Sequence, residues 1–303
     1  MKKQKLIAIT GPSSSGKTKL AIEVAKSLNG EIISVDSRQI YKELNIGSAK
    51  PTLEEREGIL HHLMDIIDIN QEYTVADFCD DAKLKIQEII QKGKTPILAG
   101  GTGLYFRVLL QDFDLPRVAP NQELRDELEK FSSEELYKQL LELDYDIAQK
   151  IHFNNKVKII RALEVCKTLG IPMSKAQKKK ESDYDVLWFG LNSSDREFLY
   201  ERINKRVDIM MEQGLLKEVT ALFDKYGENK ILLGTIGYQE FYPFFKGESD
   251  FESAIEQLKQ NTRRYAKRQI SWFNANKDIQ WFDIQKQNVM DMKSDVILKY
   301  EKM

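Results

Sequence analysis

Residues 11–18 read Gly11-Pro12-Ser13-Ser14-Ser15-Gly16-Lys17-Thr18, which fits the pattern G-x-x-x-x-G-K-[ST] at every fixed position. The setting of this segment constrains the fold. Leu6, Ile7, Ala8 and Ile9 before it form the short continuous apolar run of a buried parallel strand. Leu20, Ala21, Val24, Ala25 and Leu28 after it recur at helical spacing. A strand that ends in glycine and turns directly into a helix leaves the first helical N–H groups unpaired, at the positive end of the helix dipole. Such a turn holds an anion. These eight residues are therefore the candidate phosphate cradle, with Lys17 neutralising charge and the Thr18 hydroxyl available to Mg²⁺.

The alternation continues. Strands are expected at 6–10, 31–35 and 96–99, and helices at 17–28 and 75–91, the latter stopping near Gly93. That order predicts an α/β fold, a P-loop NTPase-like parallel sheet flanked by helices, with ligands at the carboxyl ends of the strands. From Asp112 onward the character changes. Residues 121–130, 133–143 and 156–169 read as helices with charged outer faces. Phe113-Asp114-Leu115-Pro116 offers a way out of the sheet domain and Trp188-Phe189-Gly190-Leu191 a way back. As domains, 1–112 with 205–303 is expected to form the catalytic core with C-terminal helices, and 113–204 an inserted helical domain. Further helical segments are expected at 195–226 and 251–276.

Composition excludes several classes. A chain of 303 residues with 42% hydrophobic and 31% charged residues is that of a soluble globular protein. The net charge of −1 confines any nucleic-acid surface to a local patch. Cys79 and Cys166 are far apart and outside any CxxC, which argues against a disulfide framework or zinc site and suits a reducing cytoplasm. No apolar run approaches membrane-spanning length, and Met1-Lys2-Lys3-Gln4-Lys5 leads straight into the first strand, so no leader is expected.

Four segments carry candidate chemistry. Ile32-Ile33-Ser34-Val35-Asp36 ends a strand in a carboxylate. Asp36 reads either as a Walker-B-like ligand to hydrated Mg²⁺ or as a base that takes a proton from an acceptor. Ser37, Arg38 and Gln39 after it offer hydrogen bonds to a base edge. Gly100-Gly101-Thr102-Gly103 ends another strand in glycines, as a tight turn or as a close approach to ligand with Thr102 as the polar group. His61 and Asp65, at i, i+4 in His61-His62-Leu63-Met64-Asp65, read as two metal ligands without a visible third or as a structural pair. Thr262 to Gln269 is the densest basic stretch, where Arg264 shares a helical face with Arg268 and Arg263 with Lys267. RNA phosphates would relieve their repulsion, as would salt bridges on a solvated helix.

Taken in order, residues 11–18, Asp36-Ser37-Arg38-Gln39-Ile40-Tyr41, Gly47-Ser48-Ala49-Lys50-Pro51, residues 61–65 and 96–105, Arg161-Ala162-Leu163-Glu164, Ile236-Gly237-Tyr238, and Tyr265-Ala266-Lys267-Arg268-Gln269 with Trp272-Phe273 span nearly the whole chain. In this combination the chain resembles the bacterial tRNA isopentenyltransferases, the IPP transferase family. The resemblance implies transfer of a dimethylallyl group from dimethylallyl diphosphate to N6 of adenosine 37, in tRNAs that read codons beginning with U. Gly11, Pro12, Ser13, Ser14, Ser15, Gly16, Lys17 and Thr18 would bind the donor diphosphate. Asp36, Thr102 and Lys17 would be catalytic, and Mg²⁺ would sit at Thr18. Asp36, Ser37, Arg38, Gln39, Thr102, Arg125, Val157, Lys158, Ile159, Ile160 and Arg161 would meet tRNA, and the insertion would grip the anticodon stem-loop. Arg264 and Arg268 join that set from the basic helix. A cytoplasmic monomer with no membrane partner is implied. Phe153, Val157, Gly234 and Gln239 depart from the family's usual residues. The rival readings are an adenylate isopentenyltransferase acting on free AMP, ADP or ATP, and a P-loop phosphotransferase. The helical insertion and basic helix favour tRNA, because a free nucleotide needs no such surface.

Overall fold

A computed structural model describes residues 3–110, 113–114, 116–176, 178–179 and 182–303, with only the backbone described at 113–114 and 178–179. Leu115 of the proposed exit segment and Asp112, where the character changes, lie outside the described residues. The chain divides into a larger unit, Met1–Leu110 with Asp183–Met303, and a smaller one, Gln111–Ser182.

The larger unit opens with β1 (Gln4–Thr10), α1 (Lys17–Ser27), β2 (Gly30–Val35), β3 (His61–His62), α2 (Val75–Gln91), β4 (Thr95–Gly100) and α3 (Gly103–Leu110). The smaller unit contains β5 (Phe113–Asp114), α4 (Gln122–Glu129), α5 (Ser133–Leu143), α6 (Tyr145–Ala148), α7 (Lys156–Leu169), α8 (Met173–Ala176) and β6 (Lys178–Lys179). The larger unit then resumes with β7 (Tyr184–Asn192), α9 (Arg196–Glu212), α10 (Leu215–Tyr226), α11 (Lys230–Leu233), a 3₁₀ turn (Gln239–Phe241), α12 (Tyr242–Phe245), α13 (Phe251–Phe273), β8 (Gln280–Asp283) and α14 (Val289–Glu301).

Among the described residues, six strands form one parallel sheet in the order β3-β2-β4-β1-β7-β8. Alternation along β1 explains the layers. Leu6 and Ala8 face a core with Phe78, Ala82 and Ile86 of α2 and Phe106 of α3. Ile7 and Ile9 face Leu20, Ala21 and Val24 of α1 and Val296 of α14. β4 lies between β1 and β2, so the first crossover skips a strand. That reversal opens a crevice at the carboxyl ends of the strands, the usual ligand position in such sheets. A third core gathers Ile40, Tyr41 and Leu44 with Val207 of α9, Val219 of α10, Tyr238 and Leu258 of α13.

Three sequence expectations change. The smaller unit ends at Ser182, not 204, because β7 pairs with β1 from Gln4↔Tyr184 to Thr10↔Gly190 and is a central strand of the sheet. Residues 195–226 form two helices, because Gly214 adopts φ 97° and interrupts the run. His61 and His62 lie in β3 and not on a helix, and Leu63 and Asp65 have positive φ. That geometry removes the i, i+4 relation on which a metal site at His61 and Asp65 rested. Asp65 instead pairs with the buried Lys50 at 2.5 Å, and His62 with Glu31 at 2.7 Å.

The smaller unit has its own core of Leu128, Leu136, Leu140, Ile159, Ile160 and Leu163. Helices α4 and α7 are joined by fully buried Glu164, which accepts Nε and Nη2 of Arg125 at 2.9 Å each, Nη1 of Arg161 at 2.5 Å and the Asn121 N–H at 2.7 Å. Burial pushes the Glu164 carboxyl up, but the hydrogen bonds from Arg125, Asn121 and Arg161 prevail and hold it at about 2.

Candidate active site

β1 delivers the chain to Gly11, whose φ of 144° and contact with the Leu191 carbonyl leave no room for a Cβ. The loop ends at Gly16, which takes a left-handed conformation as N-cap of α1, so no side chain caps that helix. The first turn of α1 contains no acidic residue. Its N–H groups are therefore open to an anion. The Ser14 and Ser15 hydroxyls are buried and have no hydrogen-bond partner among the described residues, as expected of a cradle shaped for a polar ligand. Lys17 bends back so that Nζ donates to the Pro12 carbonyl at 2.6 Å. Burial lowers its pKa to about 8, Asp36 opposing the shift and Arg206 adding to it. Burial likewise lowers the Arg206 pKa, Glu55 opposing. Both cations line one cavity of about 800 Å³ that also reaches Thr18, Asp36, Arg268 and Gln269. Two partly desolvated cations beside an uncapped helix N-terminus suit a diphosphate better than a single phosphate.

The acceptor side is built from the ends of β2 and β4. Asp36 Oδ1 accepts the backbone N–H groups of Arg38 at 2.8 Å and Gln39 at 3.3 Å, which fixes the carboxylate at the turn. Its Oδ2 has no hydrogen-bond partner among the described residues and is free to accept a proton from a ligand. Thr102 ties the two strand ends together: its N–H donates to Val35 O at 3.2 Å, and its Oγ1 accepts the Ser37 N–H at 3.1 Å. Tyr265 lies near Thr102, and its hydroxyl pKa rises to about 12 through burial and the nearby Asp36.

The chemistry this allows is specific. An anion held by the loop and the cations at Lys17 and Arg206 shares a cavity with a carboxylate whose outer oxygen is free. A group transferred from a diphosphate would pass to a nucleophile deprotonated beside Asp36.

Comparison with known proteins gives the family. The model of the IPP transferase family matches residues 39–276. The chain belongs to the IPP transferase family. It is 45% identical over 288 residues to a tRNA dimethylallyltransferase of Bacillus cytotoxicus, covering 93% of this chain and 91% of that protein. The solved full-length tRNA isopentenylpyrophosphate transferase of Bacillus halodurans superposes with a TM-score of 0.75 at 40% identity, over 99% of this chain and 98% of that one. A structure of a eukaryotic dimethylallyltransferase acting on tRNA gives a TM-score of 0.81 at 34% identity, over 93% of this chain and 74% of that one.

Within this family framework, the structure sorts the candidate residues. Ser13, Ser14, Gly16, Lys17, Thr18, Asp36 and Ser37 line one cavity, and Thr102 is bonded to the Ser37 N–H. Arg38 lines the cavity while Nη2 donates to Gly234 O at 3.1 Å. Gln39 is engaged at both ends of its amide: Oε1 accepts Ser34 Oγ at 3.0 Å, and Nε2 donates to Ala49 O at 3.3 Å. It braces the loop at residues 47–50. Arg264 and Arg268 are exposed on α13, and the Arg268 guanidinium stands 5.5 Å over the Tyr265 ring. Arg263 turns away to bond Asn204 at 2.6 Å.

In the smaller unit Val157 and Lys158 are exposed, but Ile159 and Ile160 are core residues at 0% and 4% exposure. Their side chains are not a contact surface, because α7 turns that face toward α5. Arg125 and Arg161 spend hydrogen bonds on Glu164, and Arg161 also donates to Val118 O at 2.9 Å. Sequence reasoning missed Arg206 and Arg202. Arg202 Nε donates to the Ser14 carbonyl at 3.0 Å. Their only sequence signal is an i, i+4 relation on an otherwise ordinary charged helix.

Proposed function

We propose that this chain transfers the dimethylallyl group of dimethylallyl diphosphate to N6 of adenosine 37 in tRNAs that read codons beginning with U, releasing diphosphate and N6-isopentenyladenosine in the tRNA. The observation that carries the reading is the shared cavity: the diphosphate cradle with Lys17 and Arg206 on one side, and Asp36 with an unengaged Oδ2 on the other.

The adenine N6 lone pair is delocalised into the ring, so it is a weak nucleophile. The donor carbon is allylic, so positive charge spreads over the isoprenoid as its C–O bond lengthens. The bond from N6 to that carbon forms, the C–O bond breaks, and its electron pair leaves on the diphosphate. Lys17, Arg206 and the N–H groups at the start of α1 stabilise the departing charge. Asp36 takes the proton that N6 loses. Thr102 holds the turn that presents Asp36 and hydrogen-bonds the acceptor.

Among the described residues no group of three or more His, Cys, Asp or Glu is placed to hold a metal. The orphaned Ser14 and Ser15 hydroxyls and the Thr18 hydroxyl at the loop's end nevertheless fit a Mg²⁺ carried on the diphosphate, with Thr18 as its protein ligand. That ion would supply further charge neutralisation on the leaving group.

The target base leaves its loop stack to reach the crevice, as single-stranded RNA loops permit. Arg264 and Arg268 then contact phosphates from the larger unit, and the smaller unit grips the anticodon stem-loop with Val157 and Lys158.

The test is alkylation with Mg²⁺ and dimethylallyl diphosphate, comparing unmodified tRNA carrying adenosines at 36 and 37 with free AMP, and reading products by nucleoside mass spectrometry. Isopentenyladenosine in the tRNA alone is the expected outcome. Modified AMP, or no product from either, refutes the reading.

A further inference from the structure

The P-loop of this chain is held from outside by the Arg202 guanidinium at Ser14 and by the Gln269 amide at Ser13. Gln269, on α13, is 6% exposed. Its Oε1 accepts the Ser13 backbone N–H at 2.9 Å, and its Nε2 donates to the Gly101 carbonyl at 3.0 Å. Gly101 directly precedes Thr102, and a Cβ at Gly101 would occupy the place of Nε2. Tyr265, four residues earlier on the same helix face, lies near Thr102 and Asp36. The crown of the donor loop and the turn before Thr102 are thus gauged against each other by the buried Gln269 side chain.

We propose that Gln269 is a positioning residue that sets the spacing between the diphosphate-binding loop and the Thr102 turn, and so between the leaving group and the acceptor. The inference rests on the transferase reading for its kinetic arm and on the loop's anion binding for its second arm. The chemistry demands an amide. Ser13 offers a donor and Gly101 an acceptor, and only a side chain with one acceptor and one donor a fork apart satisfies both. An ionised Glu would accept from Ser13 and repel the Gly101 oxygen. A protonated Glu would restore both bonds. Leu of similar volume would make neither and leave both backbone groups unpaired.

The experiment compares the full-length wild type with Gln269→Leu and Gln269→Glu. It measures kcat and donor KM in the tRNA alkylation assay, tRNA affinity, and the Kd for inorganic pyrophosphate, from roughly pH 6 to pH 8, where a buried carboxyl titrates. Gln269→Leu is expected to lower kcat/KM for the donor about 10- to 100-fold, the scale of an ångström-sized misplacement, with tRNA affinity unchanged within about threefold. Gln269→Glu is expected to be as poor at the alkaline end and to recover toward wild type, as a mutant-to-wild-type ratio, when the medium is acidified. A merely structural strut would shift thermal stability without that pH-dependent ratio. Unchanged kinetic constants and unchanged pyrophosphate Kd in both variants, or a Gln269→Glu ratio flat with pH, overturn the proposal. A wild-type chain that does not alkylate tRNA sinks the transferase reading instead, and the pyrophosphate arm then judges Gln269 alone.

Discussion

Lys17 should lower the stability of the free protein, and its removal should make the chain harder to unfold. Its pKa falls from 10.5 to about 8 on folding, chiefly through burial. A tenfold change in proton affinity corresponds to about 1.4 kcal/mol, so the charged lysine costs about 3 kcal/mol at pH 7. Between those two pKa values the unfolded chain binds more protons than the folded one. Stability therefore rises with pH through that window, and below it the full penalty persists. Lys17→Met removes the penalty together with the Nζ bond to Pro12 O, itself worth about 1 kcal/mol. The net expectation is a gain of about 2 kcal/mol at pH 7 that narrows to about 1 kcal/mol at pH 9. Urea denaturation followed by circular dichroism at the two pH values measures it. Pyrophosphate binding should be lost in the same variant, since the charge held at this cost is the one the anion uses. A variant no more stable than wild type at pH 7, or one whose stability keeps the wild-type pH slope, would refute the desolvation argument.

Other perturbations separate the remaining roles. Asp36→Ala is expected to cut single-turnover alkylation by about a thousandfold, the range of a general base, while filter binding shows tRNA affinity within a few-fold; equal losses of rate and binding would remove Asp36 from the base role. Glu164→Gln is expected to destabilise the smaller unit by about 3 kcal/mol at pH 7, since its carboxyl drops from 4.5 to about 2 on folding. Because a depressed carboxylate stabilises above its unfolded pKa, the wild-type advantage should vanish as pH falls from 4.5 through about 2, and proteolysis within residues 116–176 reads it. Arg264→Ala with Arg268→Ala should weaken tRNA binding and reduce the slope of log K against log salt by about 2; an unchanged slope would place that helix off the RNA.

Part of the site is legible in the residues alone. Gly11 to Thr18 carry their meaning locally: the glycines allow the turn, and the following helix supplies the N–H groups, whatever surrounds them. Asp36 and Thr102 stand out as polar residues at strand ends, where a parallel sheet places ligands. The pairing of β7 with β1 is hidden, because Val186 to Leu191 is an apolar run that suits a buried strand or a domain crossing equally well. Gln39 reads as a hydrogen-bonding partner for a base edge, and its bonds to Ser34 and Ala49 are not legible in the motif, because those partners are fixed by the loop's path.

The parallel α/β sheet and the anion cradle thus follow from the order of residues, since both depend on short-range periodicity and on backbone groups within one turn. The long-range partners of individual side chains do not. Gln269 reaches Ser13 across 256 residues, Arg202 reaches Ser14 across 188, and Arg125 and Arg161 converge on Glu164 in the smaller unit. The sequence of their own helices does not show which partners these residues meet. Burial and the partners met on folding give each its charge state, its hydrogen bonds and its role, and those are properties of non-local packing.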